Sequence, residues 1–240
     1  FIHDSYACRK DKGTHKAFFR IKKFAGKHKE SDYFMKCDIT KYFYSIDQHV
    51  LIEIIRRKIN DESLLGLLEK IIGSHCEEDA PHHIKNPLVA EHEQKKGIPI
   101  GNLTSQLFAN IYLNELDYFV KHGLHIKHYV RYVDDFAMFF DDKKSLHEAR
   151  QQVHDFLKNR LFLRLEKRKT QINKISFGVD FAGYVAFRHY VRVRTRNYRL
   201  FRIKLGERMR KYCRSELSVQ NINASLASYS GHLSHTNSNK

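Results

Sequence analysis

Two adjacent carboxylates, Asp134 and Asp135, interrupt the strongly β-forming segment YVRYVDDFAMFF at residues 129–140. The apolar and aromatic residues on either side predict two short strands, and acids between strands are typical of a hairpin turn. Burying a carboxylate is costly unless a cation or hydrogen-bond donors compensate its charge. The pair therefore either reaches solvent at the hairpin tip or binds a cation, and a tip inside a cleft would satisfy both conditions.

A third acid, Asp38, ends another short predicted strand, YFMKCDI at residues 33–39, and precedes Asp134 by 96 residues. Two strands that bring carboxylates to one edge of a sheet would create a site of hard oxygen ligands, which Mg²⁺ prefers. Two such ions support phosphoryl transfer by activating the attacking oxygen and stabilising the leaving one. Acids at strand ends are common, so this spacing alone leaves a purely structural role open.

The chain carries a large excess of positive charge, with 43 Lys and Arg against 27 Asp and Glu and a net charge of +16. This excess favours a polyanionic partner, because Lys and Arg displace counterions from phosphates. The aromatic residues are all Phe or Tyr and could stack on bases, although most Phe side chains are expected in the core. No apolar run approaches the length of a membrane span, so we expect no membrane contact.

None of the four cysteines belongs to a C-x-x-C pair, and we therefore expect reduced thiols in a cytoplasmic protein. The segment SHCEEDAPHH, residues 74–83, places Cys76 among three histidines, but its spacing fits no zinc-ligand pattern. Because the chain begins with Phe1 and not with Met, we expect further residues before it.

Apolar residues at helical spacing alternate irregularly with β-forming segments, which predicts an α+β fold with an antiparallel sheet. Asp47 and Asp61 are predicted to cap helices, and Gly73 to end the second of them. The other predicted elements are helices over 102–122 and 143–161, a strand entering a basic turn over 163–172, a hairpin over 178–193 and a basic helix after Thr195.

The motif YVDD, residues 132–135, resembles the catalytic hairpin of reverse transcriptases, and other segments match that family in order. FMKCDITKYFYSI resembles its first palm motif, and GIPIGNLTSQLFANIYLNELD the motif that lies against the incoming nucleotide. RLEKRKTQI and VDFAGYV resemble the later motifs, and SYACRKDKGTHKA the preceding finger motif. The resemblance implies a right-hand polymerase fold with fingers, an antiparallel-sheet palm and a short helical thumb.

The segment IGNLTSQ, residues 100–106, narrows the resemblance to one subfamily of reverse transcriptases. Most reverse transcriptases have Gln before the Gly that corresponds to Gly101 and Ser-Pro after it, whereas this chain is similar to the enzymes of diversity-generating retroelements. The tail SLASYSGHLSHTNS also resembles theirs. The resemblance implies a bacterial or phage enzyme that copies a template RNA from a DNA or RNA primer, with errors at adenines. It also implies a small basic accessory protein that forms an oligomer.

For the metal site, the resemblance implies two Mg²⁺ ions, with Mn²⁺ as a possible replacement. Asp38 and Asp134 would be the main ligands, the backbone carbonyl of Ile39 would help, and Asp135 would support the site. Lys169 would protonate the pyrophosphate leaving group, the alternative being an ordinary surface lysine.

For the nucleotide, the resemblance implies that Phe43 acts as a steric gate against a ribose 2′-hydroxyl; a core phenylalanine is the alternative. Arg9 would bind the triphosphate, since a guanidinium makes two hydrogen bonds to phosphate oxygens, while Lys12 is either a second contact or solvated. Ile100, which replaces a polar amide, would reduce discrimination against mismatches. The remaining assignments are Gly101 and Gln106 at the nucleotide, and Phe181, Gly183 and Tyr184 at the primer end.

The resemblance also predicts a division of the chain. Fingers would occupy 1–32, palm 33–45, fingers with palm-flanking helices 46–100, palm again 101–195 and thumb 196–240. Alternatives are a group II intron- or retron-like reverse transcriptase, an RNA-directed RNA polymerase and a catalytically silent RNA-binding relative. Phe43 argues against the RNA polymerase, and the intact acids argue against the silent relative.

Overall fold

The computed structural model describes residues 1–75, 84–90 and 94–236. Cys76, His82 and His83, which were considered as zinc ligands, lie outside these ranges. Within them Cys8, Cys37 and Cys213 are free thiols. No helix in the described ranges has both the length and the apolar composition needed to cross a membrane.

Helices and antiparallel strands are mixed along the described residues, as predicted. The helices are α1 (Thr14–Lys27), α2 (Tyr42–Ser45), α3 (Gln48–Arg56), α4 (Glu62–Ile72), α5 (Leu103–Tyr118), α6 (Lys143–Arg160), α7 (Thr195–Cys213) and α8 (Val219–Leu233). The strands are β1 (Tyr33–Cys37), β2 (Tyr129–Tyr132), β3 (Asp135–Phe140), β4 (Gln171–Lys174), β5 (Val179–Phe181), β6 (Tyr184–Ala186) and β7 (Val191–Val193). A π-helical turn (Phe119–Gly123) extends α5, and a 3₁₀ turn (Ile175–Phe177) follows β4.

The larger sheet has the strand order β2-β3-β1-β4, and all its pairs are antiparallel. Cys37 at the end of β1 pairs with Phe136 near the start of β3. The residues that follow and precede this pair, Asp38 and Asp135, therefore lie side by side at the same end of the sheet.

Both faces of β1 and β3 are covered, which explains why neither strand alternates apolar and polar residues. Met35, Cys37 and Met138 pack on one face with α3, α5 and α6. Phe34 and Phe139 point to the other face, where they join α1 and the smaller sheet. The central strands are thus held between two hydrophobic clusters.

The smaller sheet has the order β5-β6-β7 and packs against α1. Gly178, which precedes β5, has φ +81°, and a Cβ there would stand 2.5 Å from Cγ1 of Val185. The β5–β6 turn contains Gly183 with φ +92°. Glycine at these two positions lets the second sheet fold back tightly on itself.

The predicted helix caps are confirmed. Asp47 accepts a hydrogen bond from the backbone N–H of Val50 at 3.1 Å, and Asp61 accepts one from Leu64 at 3.0 Å. Gly73 follows the last residue of α4 as predicted. The predicted long helices and both hairpin regions are also present, the second with the additional strand β7.

Several elements differ from the prediction, among them the short helix α2, which was not predicted. Helix α1 was not predicted, because its buried face is interspersed with Lys and Arg. Helix α8 was not predicted in the Ser- and Asn-rich tail. The expected strand over 163–172 is wrong in position: Leu165 forms one isolated bridge to Ile39, and β4 begins after the basic turn.

Candidate active site

Three carboxylates meet at one end of the larger sheet. Asp38 directly follows β1 and is 9% exposed, Asp134 lies in the β2–β3 turn, and Asp135 opens β3. The antiparallel register sets Asp38 beside the turn, although the two segments are far apart in sequence. The structure therefore brings the three predicted acids together.

Two of the three carboxylates, Asp134 and Asp135, have raised pKa values. The pKa of Asp134 is raised to about 6, first by burial and then by the negative charge of Asp38. Burial also raises the pKa of Asp135, although the nearby ammonium of Lys36 partly offsets this. Mutual repulsion at a partly desolvated site is the condition that a bound cation would relieve.

Lys169 supplies a positive charge to this site. Its Nζ donates hydrogen bonds to both carboxylate oxygens of Asp38 at 3.0 Å, and this contact raises the pKa of Lys169. The backbone N–H of Glu166 donates to the carbonyl of Asp38 at 2.8 Å, which fixes the lysine-bearing segment beside the acid. The Lys169 side chain is 65% exposed, so the ammonium also faces solvent.

The hairpin that carries Asp134 rests on a buried polar network. Arg131 donates to both oxygens of Asp117 at 2.7 Å and to the carbonyl of Val133 at 2.9 Å. Val133 has φ +56°, an unfavourable conformation for a β-branched residue. The guanidinium thus anchors a strained residue directly before Asp134.

Sequence reasoning missed Arg131, Asp117 and Lys36. Nζ of Lys36 lies 3.5 Å from an oxygen of Asp135 and 5.7 Å from the ring centre of Phe181. It therefore links the carboxylates to the smaller sheet. A single charged residue inside an otherwise apolar strand, as in YFMKC and YVRY, was the available signal.

Phe43 lies on the short helix α2, five residues after Asp38, and is half-buried against the main core. Its backbone carbonyl accepts a hydrogen bond from the N–H of Ile98 at 3.0 Å. This bond brings the segment before Ile100 next to the proposed steric gate. The Ile100 residue is 58% exposed, and Gly101 after it has φ +97°. Ile39, whose backbone carbonyl is predicted to help bind the metal, forms an isolated antiparallel β-bridge with Leu165.

Gln106, on the exposed side of α5, accepts a hydrogen bond from the thiol of Cys8 at 3.0 Å. One turn further on, the amide of Asn110 donates to the backbone carbonyl of Ala7 at 2.9 Å. These two contacts hold the predicted finger motif against α5, so the two sequence motifs share one surface.

Arg9 and Lys12 donate to backbone carbonyls of the N-terminal segment. Nη1 of Arg9 lies 2.7 Å from the carbonyl of Ile2 and 2.8 Å from that of Ser5. Nζ of Lys12 lies 2.9 Å from the carbonyl of His3. Both cations thus close the N-terminal loop, and their predicted phosphate contacts stay predictions.

The predicted primer residues lie on the β5–β6 hairpin. Phe181 and Tyr184 are almost completely buried, and the Tyr184 hydroxyl lies 2.8 Å from Nδ1 of His232 on α8. Gly183 occupies the turn between them and is half-buried. A contact with the primer would therefore involve the turn backbone, and it stays a prediction.

Solved telomerase structures from Candida share this architecture. The chain matches telomerase of Candida tropicalis in complex with a TWJ fragment of telomeric RNA with a TM-score of 0.54 and 14% identity, over 93% of this chain and 42% of that chain. The apo telomerase truncated from its C-terminal domain gives a TM-score of 0.53 at 17% identity, over 80% and 41% of the two chains. The fold is therefore that of a right-hand polymerase.

The chain belongs to the reverse transcriptase (RNA-dependent DNA polymerase) family, which residues 1–186 match. It is 26% identical to protein YkfC of Escherichia coli, over 75% of this chain and 54% of that protein. It is 33% identical to the group II intron-encoded protein LtrA of Lactococcus lactis, over 48% of this chain and 17% of that protein. The chain thus spans about half of YkfC and a smaller part of LtrA.

Proposed function

We propose that this chain is the polymerase unit of an RNA-directed DNA polymerase. The observation that carries the proposal is the convergence of Asp38, Asp134 and Asp135 at one end of the β1–β3 pair. Family membership and the right-hand fold support the same reaction, nucleotidyl transfer to a primer. Its substrates would be deoxynucleoside triphosphates, an RNA template and a DNA or RNA primer.

The donor set fits Mg²⁺, because it offers carboxylate oxygens whose mutual repulsion is not fully compensated. Asp38 and Asp134 would bind the ions, with Asp135 and the carbonyl of Ile39 in support. When bound, a pair of divalent ions activates the primer hydroxyl and stabilises the leaving oxygen. Mn²⁺ could take the same positions, since it accepts similar ligands.

Lys169 would act in two ways. Its raised pKa keeps the ammonium protonated at neutral pH, so it can donate a proton to the leaving pyrophosphate. Because it occupies both oxygens of Asp38, it must withdraw from them when Asp38 binds a cation. The exposed position of the Lys169 side chain supports such a movement towards the substrate.

Helix α7 would contact the template–primer backbone. It contains seven Lys or Arg and one Glu, and none of its residues is buried. A basic helix of this kind gains affinity for phosphates by releasing counterions. This supports the proposed division in which the thumb begins near residue 196, after palm segments 33–45 and 101–195 and finger segments 1–32 and 46–100.

The finer proposal is an error-prone enzyme of a diversity-generating retroelement in a bacterial or phage setting. It rests on IGNLTSQ, where Ile100 provides no hydrogen bond to orient a nucleotide. A small basic accessory protein oligomer would assist it. A second candidate is a group II intron-type reverse transcriptase, which the 33% identity to LtrA favours.

Primer extension on an RNA template with Mg²⁺ tests the polymerase proposal. We expect deoxynucleotide incorporation by the chain, with or without a basic accessory protein, and loss of it in Asp134→Asn. Incorporation that persists in Asp134→Asn, or that uses only ribonucleotides, would reject the proposal. Sequencing the cDNA separates the two candidates, since errors concentrated opposite adenines identify the retroelement type.

A further inference from the structure

A cluster of two carboxylates and two imidazoles lies at the opposite end of β1 and β3 from the candidate active site. Its members are Asp32, Asp141, His28 and His128. Asp32 immediately precedes β1, Asp141 immediately follows β3, and His28 follows the last residue of α1. Asp38 lies six residue steps after Asp32 along extended chain, which corresponds to roughly 20 Å. The cluster is therefore separate from the polymerase carboxylates.

His28 is the centre of this cluster. Its Nδ1 lies 3.2 Å from Oδ2 of Asp32 and 3.0 Å from Oδ1 of Asp141. Ligand atoms of these three residues all lie within 4.8 Å of one another. Tetrahedral zinc ligands at 2.0–2.1 Å from the metal lie roughly 3.3 Å apart, and the two distances from Nδ1 of His28 to the carboxylate oxygens match this value.

The outer contacts of His28 orient its ring for such a role. Nε2 lies 2.7 Å from Nδ1 of His128, and the ring of Phe139 stacks on His28 with an interplanar angle of 18°. When a metal is bound, the proton of His28 would be on Nε2. His28 would then donate to His128 and direct the lone pair of Nδ1 at a metal ion held between the two carboxylates. A metal-binding histidine usually donates its other N–H in this way, which fixes its tautomer and orientation.

The carboxylates also have suitable surroundings. Oδ2 of Asp32 accepts a hydrogen bond from the backbone N–H of Lys29 at 2.8 Å, and Asp32 is buried. The Asp141 side chain is 87% exposed and lines a cleft of about 620 Å³ together with His28 and His128. Asp32 is thus fixed in the fold, whereas the exposed Asp141 leaves an entry path for a metal and room for water.

We propose that His28, Asp32 and Asp141 form a binding site for a first-row divalent transition metal such as Zn²⁺. One imidazole and two carboxylates suit this class of cation, with the remaining position taken by water from the cleft. The bound metal would join the end of α1 to the ends of β1 and β3. It would stabilise the folded chain by mass action, without a part in nucleotidyl transfer.

Zinc titration of the purified chain tests this site, using Asp134→Asn as the background so that the polymerase acids contribute less. We expect one Zn²⁺ equivalent per chain and a rise in Tm on zinc addition. Adding Asp141→Asn, an exposed change that leaves the core intact, should weaken this binding at least tenfold and remove the rise in Tm. Adding His147→Asn, a surface histidine on α6, is the matched control and should leave both unchanged.

Cobalt provides an independent readout of the ligands. Co²⁺ bound by His28 and two carboxylates should give visible d–d absorption that Asp141→Asn abolishes, while circular dichroism verifies that this variant is folded. Equal zinc affinity with and without Asp141→Asn would overturn the proposal, because these three side chains would then be a hydrogen-bonded cluster that does not bind zinc. Loss of the zinc-induced rise in Tm on introducing Asp134→Asn into the wild-type chain would also overturn it, by placing the metal at the polymerase acids.

Discussion

Arg131 and Asp117 form a bidentate ion pair that is almost completely buried, with both hydrogen bonds at 2.7 Å. The same guanidinium reaches the carbonyl of Val133, next to Asp134. The most strongly perturbed carboxylate of the candidate site therefore depends on a contact between α5 and β2. The contribution of the Arg131–Asp117 pair to the free energy of unfolding can be measured separately from catalysis.

Removing one partner of this pair should be strongly destabilising. We expect Arg131→Met to lower the free energy of unfolding by about 3–5 kcal/mol, because Asp117 would remain buried without its partner. Chemical denaturation measures this change. Arg57→Met is the matched control, since its partner Glu115 lies 3.3 Å away at the surface, and it should cost less than about 1 kcal/mol. Similar losses in both variants would contradict the role of the buried pair.

Asp134 should make the metal-free chain less stable as the pH rises. Its folded pKa of about 6 exceeds the usual 3.8, so between these values the folded state holds a proton that the unfolded state has lost. The free energy of unfolding should then fall from pH 4 to pH 6 by at most about 3 kcal/mol from this group. Denaturation across this interval should show a smaller fall in Asp134→Asn than in the wild type. Parallel curves for the two proteins would be evidence against the raised pKa.

Lys169→Gln should slow incorporation of a single nucleotide by roughly tenfold or more, since the leaving pyrophosphate would lose its proton donor. The same change should lower the Mg²⁺ concentration needed for half-maximal rate, because no ammonium competes for Asp38. Rapid-quench kinetics at several Mg²⁺ concentrations measures both effects. The neighbouring Lys167→Gln serves as the control. An unchanged rate in Lys169→Gln would remove its role as an acid.

Phe43→Ala should increase ribonucleotide incorporation, because it opens the volume that a 2′-hydroxyl needs. The ratio of kcat/KM for deoxynucleotides and ribonucleotides in primer extension measures this selectivity. Tyr44→Ala, one residue further along α2, controls for disturbance of the helix. If sugar selectivity is the same in Phe43→Ala and wild type, Phe43 is a packing residue only.

Ile100→Gln should lower misincorporation opposite adenine, since an amide can orient the incoming nucleotide where an alkyl chain cannot. The position is 58% exposed, so the change should affect stability little. Sequencing of the cDNA gives the error spectrum. Leu103→Gln, at an 83% exposed position nearby, is the matched control. An error spectrum that does not change would separate Ile100 from fidelity.

Local signals made much of the fold predictable. Asp47 and Asp61 satisfy backbone N–H groups within their own first turns, so the sequence nearby contains the whole interaction. The YVDD hairpin is equally local. In contrast, β4 forms where β1 offers a partner, and α1 is stabilised by packing against both sheets. Those positions depend on contacts across the fold, which a single sequence does not display.

In the candidate site, too, some features were predictable from local sequence and others depend on contacts between distant residues. The acids were predictable because each lies at one end of an apolar strand, and their meeting was implied by the matching motif order. The contact between Lys169 and Asp38 joins residues 131 positions apart, and its geometry follows from the register of the intervening segments. Arg131 and Lys36 were overlooked, because isolated charges in short strands give no indication of their distant partners.

The covering of β1 and β3 on both sides has a mechanical consequence. Because β1 and β3 are packed between two hydrophobic clusters, we expect this strand pair to be rigid and the distance between its two ends to stay constant. Any rearrangement around a substrate is then expected in segments outside this strand pair, such as α7, none of whose residues is buried.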